Sequence, residues 1–141
     1  MGDGVIPLQP LARYSDLLRE HFEHPRHVGT FAEDDRTVGT GWVGAPTLGN
    51  VIKLQIKVTP LGVITDVCFK AYGGVAAIAL CSWVSEWLHG KTLDEAATMD
   101  NTRLAEQLSL PALEIQSAVW VERALRAALA DYQRKASPTA R

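Results

Sequence analysis

Between Val51 and Lys70 the chain writes out a hairpin, and that stretch limits the possible folds more than any other. Ile52, Leu54, Ile56 and Val58 alternate with Lys53, Gln55 and Lys57, the two-residue period of a strand with one apolar and one polar face. Thr59-Pro60-Leu61-Gly62 is turn chemistry, and Val63–Lys70 is a second β-rich run, so the two pair antiparallel. Val38–Val43 supplies a third strand. One polar face on the central strand implies helices on only one side of the sheet.

From Val75 the period changes. Ala77, Cys81, Val84 and Leu88 fall on one helical face, and Gly90 follows where a C-terminal cap is expected. Thr92-Leu93-Asp94-Glu95 has the form of a capping box opening a short helix. Asn101 is expected to cap a further helix ending near Leu108. Pro111 suits the first turn of a last helix that runs to about Arg134. Ahead of the sheet, Leu17, Leu18 and Phe22 stripe a first helix over residues 14–23, which Pro25 stops. Strands followed by helices give an α+β fold: a three-stranded antiparallel sheet with helices packed on one face. The expected organisation is a flexible extension over 1–13, one domain over 14–135 and a tail over 136–141.

Composition bears on function mainly by exclusion. A chain of 141 residues with 47% hydrophobic side chains can bury a core without staples. The net charge of −2 gives no reason to expect nucleic acid or an anionic membrane as partner. The C-terminal basic residues Arg123, Arg126, Arg134 and Lys135 are interleaved with Glu122 and Asp131, as on a solvated helix face. No apolar run reaches spanning length, and the start lacks a secretory pattern. Two cysteines, Cys68 and Cys81, are too few for a disulfide framework. A reducing, cytoplasmic setting is expected.

Several stretches then invite comparison with a known family: His21-Phe22-Glu23-His24-Pro25-Arg26-His27-Val28-Gly29, Val38-Gly39-Thr40-Gly41-Trp42-Val43-Gly44-Ala45-Pro46, Phe69-Lys70-Ala71-Tyr72-Gly73, Gly90-Lys91-Thr92-Leu93-Asp94-Glu95-Ala96 and Ala127-Ala128-Leu129-Ala130-Asp131-Tyr132. Over residues 14–133 the chain resembles the NifU N-terminal, or IscU-type, scaffolds of iron–sulfur cluster assembly. The resemblance implies the IscU/SufE-like fold and a protein that builds a [2Fe–2S] cluster on three cysteines, with a histidine and an aspartate nearby. It also implies a cysteine desulfurase as sulfur donor. The matching positions here are Leu48, Gly74, Ser117, Gln116 and Asn50. Leu48 and Gly74 have no donor atom, Gln116 and Asn50 are neutral donors, and Ser117 is no thiolate at neutral pH. The expectation is therefore a scaffold homologue with no [2Fe–2S] cluster or zinc at these positions.

That reading makes the chain a non-enzymatic protein-binding or regulatory module, with a cysteine desulfurase or another sulfur-transfer factor as partner. The alternative is a small-molecule or anion site in the vacated pocket around Leu48, Asn50, Gly74, Gln116 and Ser117. In the family a Leu-Pro-Pro-Val-Lys segment is recognised by an Hsp70-type chaperone. Here it reads Leu110-Pro111-Ala112-Leu113-Glu114, and that recognition is not expected.

Other residues resolve toward structure. Gly39-Thr40-Gly41-Trp42-Val43-Gly44 satisfies G-x-G-x-x-G, but a strand follows where a dinucleotide site needs a helix. His21, His24 and His27 are separated by the helix-breaking Pro25 and are read as surface or capping residues rather than a metal cluster. His89 is expected to interact with a helix C-terminus. Cys81 is read as core, and Cys68 as an ordinary strand cysteine near solvent, with persulfide acceptance as the less favoured role. Trp42, Trp83 and Trp120 either repack the core or anchor a partner.

Overall fold

The computed structural model describes residues 13–45, 47 and 49–137. The expected extension over 1–13 and tail over 136–141 lie almost wholly outside these residues. Arg13 forms a turn, and Ala136 still belongs to the last helix.

In chain order the elements are α1 (Asp16–Glu23), β1 (Val38–Ala45), β2 (Asn50–Val58), β3 (Ile64–Tyr72), α2 (Val75–Leu88), α3 (Leu93–Ala96), α4 (Asn101–Gln107) and α5 (Ile115–Ala136). The three strands form one antiparallel sheet in the order β1-β2-β3. The register sets Gly41, Leu54 and Phe69 in one cross-strand row and Trp42, Lys53 and Lys70 in the next. Alternate rows point to opposite faces. The inner row members Leu54 and Phe69 are buried, whereas Trp42 is 55% exposed.

Helices cover the inner face. Ile52, Leu54, Ile56, Val67 and Phe69 meet Leu80, Val84 and Leu88 of α2 and Val121, Leu125 and Ala128 of α5 in one core. Burying side chains of this size stabilises by about 1.5–3 kcal/mol each before chain entropy is set against it. Helix α5 comes closest to the sheet at two glycines. A Cβ on Gly39 would stand 2.2 Å from the Ala128 carbonyl oxygen, and one on Gly41 only 2.0 Å from that of Ala124. The alternating glycines of the G-x-G-x-x-G look-alike are therefore a seat for a helix.

The ends of elements follow their chemistry. Ser15 caps α1 through the Leu18 N–H, and Thr92 with Glu95 forms the reciprocal capping box of α3. The cap of α4 is one residue earlier than expected: the Asp100 carboxylate accepts the Arg103 N–H. Asn101 instead gives both its N–H and its side-chain amide to Glu122 of α5. Pro111 precedes a single 3₁₀ turn, Ala112–Glu114, so α5 opens four residues later than a first-turn proline would set it.

Among the described residues no helix lies on the outer face of the sheet, yet its centre is closed by chain. Residues 27–29 run beside β3, with the Gly29 N–H bonded to the Phe69 carbonyl and the Phe69 N–H to that of His27. The following loop crosses the face and is held there by Gln55, which is fully buried although it lies on the polar side of β2.

Candidate functional site

Of the loop positions singled out by sequence, Leu48 lies outside the described residues. Asn50 opens β2 opposite Ala45. Its side chain lies against Gly73, where a Cβ would come within 2.2 Å of Oδ1. Gly73 has φ 148, outside the range side-chain-bearing residues favour, so both space and backbone require glycine there. Gly74 is the N-cap residue of α2, and a Cβ added to it would meet nothing within 4 Å. Gln116, exposed, and Ser117, half-buried, occupy the first turn of α5. The structure thus brings Asn50 to the Gly73–Gly74 loop, while Gln116 and Ser117 neighbour each other on a different helix start. The donors on offer are an amide at Asn50, an amide at Gln116 and a hydroxyl at Ser117.

Beside these loops the outer face carries a groove of about 390 Å³, lined by Val28, Trp42, Val51, Lys70, Tyr72 and Ile78 among others. None of the four described loop positions lines it. Three of its side chains are large, apolar and open to solvent: Val28 at 55%, Trp42 at 55% and Tyr72 at 69%. Lys53 stands over the Trp42 ring, 5.2 Å from its centre, and the indole N–H reaches Glu33 at 3.4 Å. A contiguous apolar patch with basic neighbours has the make-up of a docking surface. The register places Trp42 and Tyr72 on the face of the sheet opposite the core. Their prominence comes from the loop, which covers the middle rows and stops short of them.

The histidines divide by role. His21 is buried, with Nδ1 2.7 Å from the Ser82 hydroxyl and Nε2 3.6 Å from Glu86. Burial pushes its pKa down, helped by Arg26 and opposed by Glu86 and Glu20. It is a structural residue of the α1–α2 contact and not the surface residue expected from sequence. His89 caps α2: its Nδ1 lies 3.1 Å from the Ser85 carbonyl. His27 lies against His89, with ring centres 4.6 Å apart and the planes tilted by 33°.

Both thiols are enclosed. Cys81 is in the core, and burial pushes its pKa to about 12. Cys68, expected near solvent, is only 5% exposed because residues 29–31 pass over it. Burial raises its pKa to about 11, and Sγ lies 3.6 Å from Gln55 Oε1. A thiol so placed is a poor nucleophile. Of the tryptophans, Trp83 and Trp120 pack against the core and Trp83 stacks with Trp87, leaving Trp42 as the one on the surface. Leu113, in the 3₁₀ turn before α5, is 92% exposed, and Glu114 next to it pairs with Arg13 at 3.6 Å.

Comparison with known proteins bears on these features. The family model for the NifU-like N terminal domain matches residues 13–139. The chain is 50% identical over 122 residues to the iron–sulfur cluster assembly scaffold protein IscU of Escherichia coli K12, covering 86% of this chain and 95% of that one. It is 48% identical over 122 residues to the protein of the same name from Buchnera aphidicola subsp. Acyrthosiphon pisum (strain APS), covering 86% and 96%. Among solved structures, a candidate iron–sulfur cluster assembly scaffold for the SUF system from Fervidobacterium islandicum AW-1 superposes with a TM-score of 0.59 at 17% identity, covering 82% and 96%. A NifU-like N-terminal structure from Brucella abortus gives 0.52 at 21%, covering 84% and 83%. These two bear on the fold alone.

The sequence relatives correct one expectation, that of a chain with no [2Fe–2S] cluster or zinc. Proteins half identical to it over most of their length are named as iron–sulfur cluster scaffolds. A count of donors at five positions does not outweigh that likeness. Neutral oxygen donors such as Asn50, Gln116 and Ser117 also ligate metals. Likeness in sequence along nearly the whole chain and likeness in fold converge: the chain belongs to the NifU N-terminal, IscU-type family of iron–sulfur cluster assembly scaffolds.

Proposed function

We propose that this chain serves iron–sulfur cluster assembly as a docking protein, without catalysing a reaction itself, and that its partner is a cysteine desulfurase or another sulfur-transfer factor. The observation that supports this most directly is the outer-face groove. Its exposed Tyr72 lies in the row next to Asn50 and the Gly73–Gly74 loop, while Trp42 stands farther along in the row of Lys53 and Lys70 and Val28 lies beside Phe69. Buried aromatic anchors carry most of the energy of protein contacts, and flanking charges set orientation and rate. Two thiols that are both unpaired fit a reducing compartment, and we place the protein in the cytoplasm on that ground.

The test is binding to a purified cysteine desulfurase by calorimetry, with desulfurase turnover followed in parallel. Trp42→Ala and Tyr72→Ala are each expected to weaken the complex by about tenfold or more. A complex unaffected by both changes, or no complex at all, would remove the reading.

A second reading is a small-molecule or anion site at the positions Leu48, Asn50, Gly74, Gln116 and Ser117, with the open position at Gly74 in its favour. Ligand-induced thermal shifts that Gln116→Ala and Ser117→Ala abolish would support it. Shifts that both variants keep would count against it.

A further inference from the structure

Strand β1 is an edge of the sheet, so half of its main-chain groups face away from β2. The Val58 N–H, bonded to the Thr37 carbonyl at 2.8 Å, fixes which half. Thr37 and every second residue after it bond to β2, and Val38, Thr40, Trp42 and Gly44 turn their groups outward. The first part of this edge is closed. The Val38 N–H goes to the Asp35 carbonyl at 3.0 Å, Lys135 Nζ bonds the Val38 carbonyl at 2.8 Å, and Asp131 accepts the Thr40 N–H at 2.9 Å. Charged side chains in such places block pairing with a further strand. The protection stops at Thr40. Among the described residues nothing bonds the Thr40 carbonyl, the N–H and carbonyl of Trp42 or the Gly44 N–H.

The surroundings of the open run set the chemistry that fits it. On the outer face stands the exposed Trp42 ring. On the inner face α5 follows the strand, with the Ala124 carbonyl directly over Gly41. Ala127 and Arg123 lie about one and two turns before Asp131 on that helix. Arg126 pairs with Glu122 and Arg134 with Asp131, whereas the exposed Arg123 has no carboxylate partner among the described residues. A strand laid along this edge alternates between the two faces. Its residues opposite Trp42 point to the outer face beside the indole, and their neighbours point to the side of α5 and Arg123. Apolar side chains suit the first set and carboxylates the second.

We propose that the open edge of β1 from Thr40 to Gly44 takes an extended acidic segment of a partner protein as a fourth strand, its apolar side chains against Trp42 and its carboxylates toward Arg123. Main-chain hydrogen bonds hold such a segment, and the alternate side chains select it. A second copy of this chain fits less well. Paired β1 to β1 about a two-fold axis, it sets its own Arg123 on the same side as this one, and like charges oppose the contact. The edge is distinct from the outer-face groove: it works through main-chain groups of β1 and does not use Tyr72.

The test adds a short end-blocked peptide of alternating valine and glutamate to the full chain, with affinity read by calorimetry and amide exchange by NMR. Exchange at Trp42 and Gly44 is expected to slow when the peptide binds, while Gly41 and Val43, already bonded to β2, keep their rates. A peptide methylated on its valine nitrogens, which face Trp42 in this alignment, should lose binding, and one methylated on its glutamate nitrogens should retain it. Arg123→Glu, at an exposed helix position, is expected to weaken binding by about fivefold or more, as is lysine in place of glutamate in the peptide. Tyr72→Ala should leave binding unaltered. Unchanged exchange at Trp42, equal binding of the two methylated peptides, or undiminished binding by the lysine peptide or by Arg123→Glu overturns the proposal. So does loss of binding in Tyr72→Ala, which would move the peptide to the groove. Slowing at Trp42 with protein concentration alone would give the edge to a second copy and overturn it as well.

Discussion

Gln55 holds both main-chain polar groups of Phe31, receiving its N–H on Oε1 at 2.8 Å and giving Nε2–H to its carbonyl at 2.9 Å. The same amide also bonds the Thr40 hydroxyl at 2.9 Å. One side chain from the central strand thereby pins a loop across the face that has no helix. Replacing it by alanine would leave buried groups unpaired, each costing about 1–3 kcal/mol. Gln55→Ala is therefore expected to lower unfolding free energy by about 2–3 kcal/mol in urea. It should also speed amide exchange at residues 29–33 well before the strands exchange. Unchanged exchange there would show that the loop is held by other contacts.

Opening that loop has a second readout. With Cys68 pushed up to about 11 by burial, its thiolate fraction at neutral pH is roughly a hundredfold below that of an ordinary thiol. Labelling by a thiol reagent should be slow in the wild type and markedly faster in Gln55→Ala. Prompt labelling of Cys68 in the native chain would contradict the enclosure described.

His21 sets a pH dependence of defined sign. Burial lowers its folded pKa, so below the ordinary imidazole value near 6.5 the unfolded chain takes up a proton that the folded chain refuses. The associated stability is present above that value and declines as pH falls toward the lowered folded one. Denaturation curves between about pH 7 and pH 5 should show this decline, and His21→Gln should flatten it. An equal slope in both proteins would assign the acid sensitivity elsewhere.

The seat of α5 on β1 predicts a strong effect from the smallest substitution. At Gly41 a methyl group would have to occupy space 2.0 Å from a backbone oxygen, which cannot move as a side-chain end can. Gly41→Ala is expected to cost about 3 kcal/mol or more. The same change at Gly74, where nothing lies within 4 Å, should stay within about 0.5 kcal/mol. Similar costs at both positions, measured by urea denaturation, would refute the packing described.

Much of this architecture could be read in advance from local chemistry. The alternation from Ile52 to Val58, the Thr92–Glu95 box and the apolar face of α2 each depend on neighbours within a few residues, and the structure keeps all three. Where the reading departed from the structure, the deciding partner was distant in sequence. Gln55 looked solvent-facing because the loop that buries it comes from 24 positions earlier. Cys68 was judged by its strand and not by the segment that lies over it. Asp100 and Asn101 are both capping types, and Glu122 from α5 decides between them by taking the Asn101 N–H. The loop positions were legible as a set of residues. The exposed apolar groove beside them was not, because exposure of Trp42 and Tyr72 depends on where the covering loop ends.

Helix α5 has 22 residues, a rod of about 33 Å. It carries Gln116 and Ser117 at one end. Near the other, Asp131 accepts the Thr40 N–H at 2.9 Å and Lys135 bonds the Val38 carbonyl at 2.8 Å. Between the ends it rests on Gly39 and Gly41 with no side chain interposed. Mechanically this is a beam clamped at one end, bedded at its middle and tied near its start, where Glu122 holds Asn101. A load anywhere along it cannot shift one turn alone; it must flex the beam or drag the edge strand along with it.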